Sequence, residues 1–188
     1  YSSSAASDVY KRQVLEDEVV VRADEAVRVA TVLGVDVRYR AVSHIERAIV
    51  EGAYAVEDSA MTCGCLGLGV RSELALKSDS LDPPLFSVSA PIRGRKLSRH
   101  RERAFRTEAV HACGTFSINA DLDTRYLLLP LRDAQDLLDR DGRVSRIEIK
   151  ALPGWTQTEV AEEVERALTE RLGDEAAGIT TLTRDDKH

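Results

Sequence analysis

The stretch Tyr126–Lys150, YLLLPLRDAQDLLDRDGRVSRIEIK, decides the fold class. Tyr126 to Leu129 is a continuous apolar run closed by Pro130, the pattern of a strand buried on both faces. Pro130 also suits the start of a helix, where its missing N–H is not needed. Ala134, Leu137 and Leu138 then recur at helical spacing, and Asp141-Gly142 ends the run. Val144, Ile147 and Ile149 alternate with Arg146, Glu148 and Lys150, apart from a slip at Ser145, which predicts a half-buried strand.

Downstream, Pro153-Gly154 makes a turn and Thr156-x-x-Glu159 forms a capping box, each side chain satisfying a backbone donor at a helix start. Val160, Val164, Ala167, Leu168 and Leu172 line one stripe of that helix, and Gly173 ends it. Ile179–Leu182 reads as a closing strand. The last third is thus β-α-β-α-β, a mixed α/β (α+β) arrangement.

Upstream, Glu18–Arg22 is a β-branched run, Asp24-Glu25-Ala26 a turn, and Val27, Val29 and Thr31 the alternating face of a hairpin partner ended by Gly34-Val35-Asp36. Ile45 to Val50 is a short amphipathic stretch. Leu66–Leu76 predicts a short helix beginning near Gly67, and Asp82-Pro83-Pro84 breaks the chain. Leu85–Ser89 and Thr107–Phe116 read as two strands of a long hairpin. The first thirteen residues, a Ser/Ala-rich tract running into Tyr10-Lys11-Arg12-Gln13, resemble a translated adapter. They are expected to be disordered, with the domain beginning at Val14 and a polar tail at 183–188.

The chain has 188 residues, 43% hydrophobic and 31% charged, a balance that supports a packed aliphatic core rather than disorder. No apolar run approaches the ~20 residues that span a bilayer, and no signal-peptide pattern is present, so this stretch reads as water-soluble. The net charge of −6 argues against a nucleic-acid binder. Charge is nevertheless uneven: between Pro91 and Arg106 seven Arg or Lys residues face one Glu. The tip of the hairpin, Ile92, Arg93, Gly94, Arg95, Lys96, Leu97 and Arg99, is too charged for a core. Such an arm suits anionic lipid head groups or an acidic protein patch, and it lacks the interleaved aromatics that stack on bases. It is the candidate partner-binding site.

Nothing predicts catalysis. His44, His100, His111 and His188 are scattered, with no carboxylate or Cys at ligand spacing, so no metal or cofactor is expected. Asp121-x-Asp123 lacks the other oxygens of a calcium loop and reads as a turn before the Tyr126 strand. Gly64-x-x-Gly67-x-Gly69 fits neither phosphate-binding fingerprint. Cys63-Gly64-Cys65 is one residue short of CxxC; the three cysteines read as small buried residues, and spacing leaves open a bridge from Cys113 to either of the pair.

Ala30-Thr31-Val32-Leu33-Gly34-Val35-Asp36 followed by Ile49-Val50-Glu51-Gly52, then Leu66-Gly67-Leu68-Gly69-Val70 with Leu74-Ala75-Leu76, resembles the opening motifs of the extracytoplasmic domain of FtsX-like ABC transporter permeases. Cys113-Gly114-Thr115-Phe116, Asp123–Leu131, Ala134–Leu138 and Val144–Lys150 resemble its later motifs in the same order. The lipoprotein-releasing (LolC/LolE) class is the nearest pattern, with macrolide-exporter permeases as relatives. Gly64 and Cys65 depart from it, standing where the family carries apolar residues.

The resemblance implies a MacB-like periplasmic core domain in two parts. A porter-like unit would use both ends, 14–50 and 120–182, and a β-rich sabre-like insert would span 51–119 with the basic hairpin 91–106. It implies a domain on the periplasmic side of a bacterial inner membrane, driven through membrane helices by a separate ABC ATPase subunit. The permease would be paired with a second copy or a sister chain. The cargo would be lipoproteins or another hydrophobic substrate, handed to a periplasmic carrier by a hairpin placed like 91–106. The alternative is a freestanding interaction domain binding an acidic partner through that hairpin.

Overall fold

β1 (Tyr10–Ala23) and β2 (Ala26–Val35) form the hairpin that alternation predicts, in unbroken antiparallel register from Val14 opposite Val35 to Ala23 opposite Ala26. Asp24 turns the chain with a φ of 48°, a left-handed conformation that Asp tolerates better than most residues. The computed structural model describes residues 10–56, 61–77, 82–92, 104–150 and 153–183. After β2 come α1 (Tyr39–Ser43), a 3₁₀ turn (Ile45–Ala48), β3 (Ile49–Gly52), β4 (Cys63–Gly67) and α2 (Leu68–Glu73). β5 (Leu85–Pro91), β6 (Phe105–Phe116), α3 (Ala120–Asp123), β7 (Tyr126–Pro130) and α4 (Leu131–Leu138) follow. β8 (Arg146–Lys150), α5 (Gln157–Leu172) and a 3₁₀ turn (Gly173–Gly178) end the described chain.

The expected boundary at Val14 moves forward. β1 starts at Tyr10, so residues 10–13 belong to the fold; residues 1–9 and the tail from 184 lie outside the described residues. The chain forms two compact units. One unit is Arg12–Glu148, and the other is Tyr1–Lys11 with Ile149–His188. Strands from both of the implied parts share one sheet.

Within Arg12–Glu148 the strand pairings close on themselves: β2, β7, β4, β6, β5, β1 and back to β2. β2 and β7 are parallel, Thr31 beside Tyr126 through Val35 beside Pro130. β4 then runs antiparallel to β7 and parallel to β6. β3 continues along β6 beyond β5, Gly52 opposite Gly114. Such a circuit leaves few open edges, the usual liability of small sheets.

Two apolar clusters occupy the two faces, as strand alternation requires. Val19, Val21, Val32, Leu66, Phe86, Val88, Val110, Leu127 and Leu129 pack with Val70 of α2, with Leu74 just after it, and with Ala134, Leu137 and Leu138 of α4. On the other face Val14, Leu33, Val35, Cys65, Phe116 and Leu128 pack with Ile45 and Val56. Leu127, Leu128 and Leu129 are all buried, which is why this strand reads as a continuous run; each such side chain contributes about 1.5–3 kcal/mol. Helix α4 lies against β2, β5, β6 and β7, and a Cβ at Gly34 would collide with Ala134, so the glycine permits that close approach.

The slip at Ser145 has a local cause. Its N–H donates to Val14 O at 2.8 Å, and its hydroxyl donates to Glu16 O and accepts from the Glu16 N–H, pinning the chain to β1 before β8 starts at Arg146. In the unit that includes Ile149–His188, the capping box of α5 forms as expected: Glu159 N–H donates to Thr156 Oγ1 at 3.2 Å and Thr156 N–H to Glu159 Oε2 at 2.8 Å. These bonds hold the exposed Glu159 carboxyl below its usual range. The expected strand Ile179–Leu182 does not form; those residues are irregular and unpaired as a strand.

Candidate functional site

The foot of the basic hairpin is well defined. β5 and β6 pair antiparallel from Leu85 opposite His111 to Pro91 opposite Phe105, and Ile92 N–H donates to Ala104 O at 2.8 Å. The pairing runs further than the alternation suggested, so Phe105 and Arg106 are strand residues rather than part of the arm. Ile92 is half-buried at the end of the paired region. Arg93, Gly94, Arg95, Lys96, Leu97 and Arg99 lie outside the described residues.

Alternation divides the foot into two faces. Phe86, Val88, Ala90 and Val110 are buried, and Arg106 points to the same side, where it meets α4. Its Nη1 donates to Asp136 O and its Nη2 to Asp139 Oδ1 at 3.1 Å. A guanidinium at a helix C-terminus meets the last-turn carbonyls and the negative end of the helix dipole. The opposite face carries exposed Leu85 and Phe105 among Ser87, Ser89, Thr107 and Ala109, with the Ser89 and Thr107 hydroxyls 2.9 Å apart. A braced, weakly polar platform thus leads into the basic segment.

A second polar constellation escaped the sequence reading because one member, Arg12, lies before Val14 and the others are scattered along the chain. Arg12 pairs with Glu148, Arg146 with both Glu148 and Glu16, and the Tyr126 hydroxyl donates to Glu16 at 3.4 Å. Strand spacing sets this ladder: residues 12 and 16 share one face of β1, and 146 and 148 sit beside them. Arg12 stacks on the Tyr39 ring, its carbon 4.4 Å from the centroid, while its Nε and Nη1 are sealed without hydrogen-bond partners. Burial lowers the Arg12 pKa, and burial followed by the Glu16 charge raises that of Tyr126. Asp17 with Arg140 at 2.9 Å adds a further brace. The signal available in sequence was the run Gln13-Val14-Leu15 leading without a break into the β-branched stretch.

The cysteines differ from the expectation of three small buried residues. Cys63 and Cys113 form a disulfide across the parallel β4–β6 pair, fifty residues apart in sequence, and Cys65 is the buried free thiol. Burial pushes the Cys65 thiol up to about 11, and it raises the Tyr54 hydroxyl as well. The Tyr54 hydroxyl has no hydrogen-bond partner.

The remaining candidates have local structural work. Asp123 is buried and accepts from the Ser117 hydroxyl at 2.7 Å and the Ile118 N–H at 2.8 Å, closing the turn ahead of β7. His44 is exposed in a left-handed turn, and His111 Nδ1 lies 3.2 Å from Pro83 O. Among the described residues no group of three or more His, Cys, Asp or Glu side chains is placed to hold a metal ion, and no helix is long and apolar enough to cross a membrane.

No family model matches this sequence, and no curated protein matches it significantly. Solved structures do. The periplasmic region of MacB from Actinobacillus actinomycetemcomitans superposes with a TM-score of 0.62 at 12% identity, over 92% of this chain and 72% of that one. The extracellular domain of the noncanonic ABC-type transporter YknZ from Gram-positive bacteria gives a TM-score of 0.62 at 12% identity, over 90% of this chain and 80% of that one. At this identity the likeness is one of fold: this mixed α+β, sheet-rich chain shares the fold of the periplasmic region of MacB and of the extracellular domain of YknZ.

Proposed function

We propose that this chain is an extracytoplasmic domain of an FtsX-like ABC transporter permease of the lipoprotein-releasing type. It would stand on the periplasmic side of a bacterial inner membrane. The observation that carries the reading is the shared fold, over 92% of the chain with the periplasmic region of MacB and over 90% with the extracellular domain of YknZ. The ordered motifs between Gly34 and Lys150 support it independently. On this reading the chain is a mechanical element and not an enzyme. A cytoplasmic ABC ATPase drives it, a second permease copy or sister chain pairs with it, and a lipoprotein or other hydrophobic cargo passes to a periplasmic carrier. The segments 14–50 and 120–182 then correspond to the porter-like part and 51–119 to the sabre-like part.

The basic hairpin is the partner contact in this scheme. Arg106 braces the foot of that hairpin against α4. Charges across an interface steer encounter and register.

The test uses the intact protein in membranes. Co-purification with an ABC ATPase subunit, and ATP-dependent release of labelled lipoprotein from proteoliposomes to a soluble carrier, are the expected results. The triple change Arg93→Glu, Arg95→Glu, Lys96→Glu is expected to lower release about tenfold. ATPase association without lipoprotein release would retain the permease and reject this cargo. Absence of both, with the arm still capturing an acidic protein, would favour the freestanding interaction domain.

A further inference from the structure

Three cysteines meet at one place in the β4–β6 pair, and two of them are bridged. In the parallel register Cys63 stands beside His111, Gly64 beside Ala112 and Cys65 beside Gly114. The register therefore skips Cys113, the extra residue of a bulge lying between the levels of Cys63 and Cys65. Gly64 faces Val110 and Leu129, so by alternation Cys63 and Cys65 share the opposite face of β4. Cys113 is bonded to Cys63. The other sulfur is close at hand: a Cβ on Gly114, the residue next to Cys113, would stand 2.9 Å from Cys65 Sγ.

The segment Gly52–Val56 lies against the thiol. Gly52 pairs with Gly114, and Ala53 N–H donates to Cys113 O at 3.0 Å. Cys65 Sγ donates to Ala53 O at 3.7 Å. Val56 and the partly buried Tyr54 pack in the same cluster as Cys65. The segment crosses over the junction as a strap, in contact with two of the three cysteines.

We propose that Cys63, Cys65 and Cys113 form an internal thiol–disulfide relay, in which lifting the Gly52–Val56 strap lets Cys65 displace Cys63 from Cys113. Cys65 first gives its proton to solvent. The thiolate then attacks Cys113 Sγ; the Cys65–Cys113 bond forms as the Cys63–Cys113 bond breaks, and the electron pair leaves on Cys63 Sγ, which takes up a proton. One disulfide and one thiol exist before and after, so no outside oxidant or reductant takes part. With the strap seated the buried thiol stays protonated and unreactive, which protects the original bridge. Exchange moves the tie by two residues along β4, recording a displaced strap as a covalent change.

The experiment follows the free thiol in the purified full chain. Samples held in sub-denaturing urea without reductant are acid-quenched, unfolded, alkylated with N-ethylmaleimide and mapped by peptide mass. The label is expected on Cys65 at first and on Cys63 with time, one thiol per chain throughout. Tyr54→Ala, which loosens the strap, is expected to speed the migration about tenfold, with circular dichroism showing that the variant is folded. If that variant does not fold, the wild-type urea series decides. A label that stays on Cys65 although native-state alkylation shows it accessible overturns the proposal. So does a Cys65 that remains unreactive up to global unfolding, or a label that moves to Cys113.

Discussion

Arg106 Nη2 lies 3.1 Å from Asp139 Oδ1, and the same guanidinium donates to the Asp136 carbonyl, which fastens the foot of the basic hairpin to the last turn of α4. Both side chains are substantially exposed, so the pair itself is worth little in water; the carbonyl contact at the helix end adds to it. Arg106→Ala is expected to lower stability by about 0.5–1 kcal/mol. Urea unfolding checks this, and Arg106→Lys is expected to recover only part, because an ammonium cannot reach both acceptors in fork geometry.

The Glu16–Arg146–Glu148–Arg12 ladder is predicted to be asymmetric. Arg12 is 14% exposed, and removing its carboxylate leaves a desolvated guanidinium without its counter-charge. Glu148→Ala is expected to cost about 1–3 kcal/mol, the penalty of leaving a part-buried polar group unsatisfied, and the double change Arg12→Met, Glu148→Leu less than Glu148→Ala alone. Chemical denaturation of the three proteins measures the difference.

The Cys63–Cys113 bridge closes a loop of fifty residues, which by the chain-entropy account stabilises the fold by about 4 kcal/mol. Reduction, or Cys113→Ser, is expected to lower the melting temperature sharply, and reductant is expected to have no further effect on the variant. Scanning calorimetry with and without reductant reads both.

The Cys65 thiol, pushed up to about 11 by burial, is expected to ionise well above an ordinary thiol. The absorbance difference at the thiolate band between the wild type and Cys65→Ala should therefore rise near pH 11, not near pH 9. The linked stability has a definite sign. An unfolded chain ionises this thiol near pH 9 while the folded chain does not, so the contribution is complete below pH 9 and is lost as pH rises through 11.

Tyr54 carries a sealed hydroxyl with no hydrogen-bond partner, and burial raises its pKa. Tyr54→Phe removes that unsatisfied group and keeps the ring, so it is expected to leave stability unchanged or raise it by up to about 1 kcal/mol. A loss of stability on urea unfolding would show that the hydroxyl has a partner.

Elements with a local signal were legible in sequence. The β1–β2 hairpin, the β7–α4–β8 succession and the capping box of α5 all carry their own periodicity or cap chemistry, and all three form. β4 was missed because Cys63-Gly64-Cys65-Leu66-Gly67 is buried throughout, shows no alternation and holds two glycines, which have no strand preference of their own. Ile179–Leu182 erred the other way: an apolar run suggests a strand, but a strand exists only where an edge is available to pair with it.

Sequence alone determined the mixed α/β class, the hairpin with its concentrated positive charge, and the two ends of α5, because each depends on residues within a few positions of one another. Tertiary structure alone decided which cysteine is bridged, that Arg12 belongs to the fold, and that the strand pairings close into a circuit. The bridge and the Arg12–Glu148 pair join residues 50 and 136 positions apart, and the circuit closes only through β1 on β5 and β2 on β7, strands equally remote in sequence. Their partners are chosen by which strands lie side by side, and no local pattern of side chains encodes that.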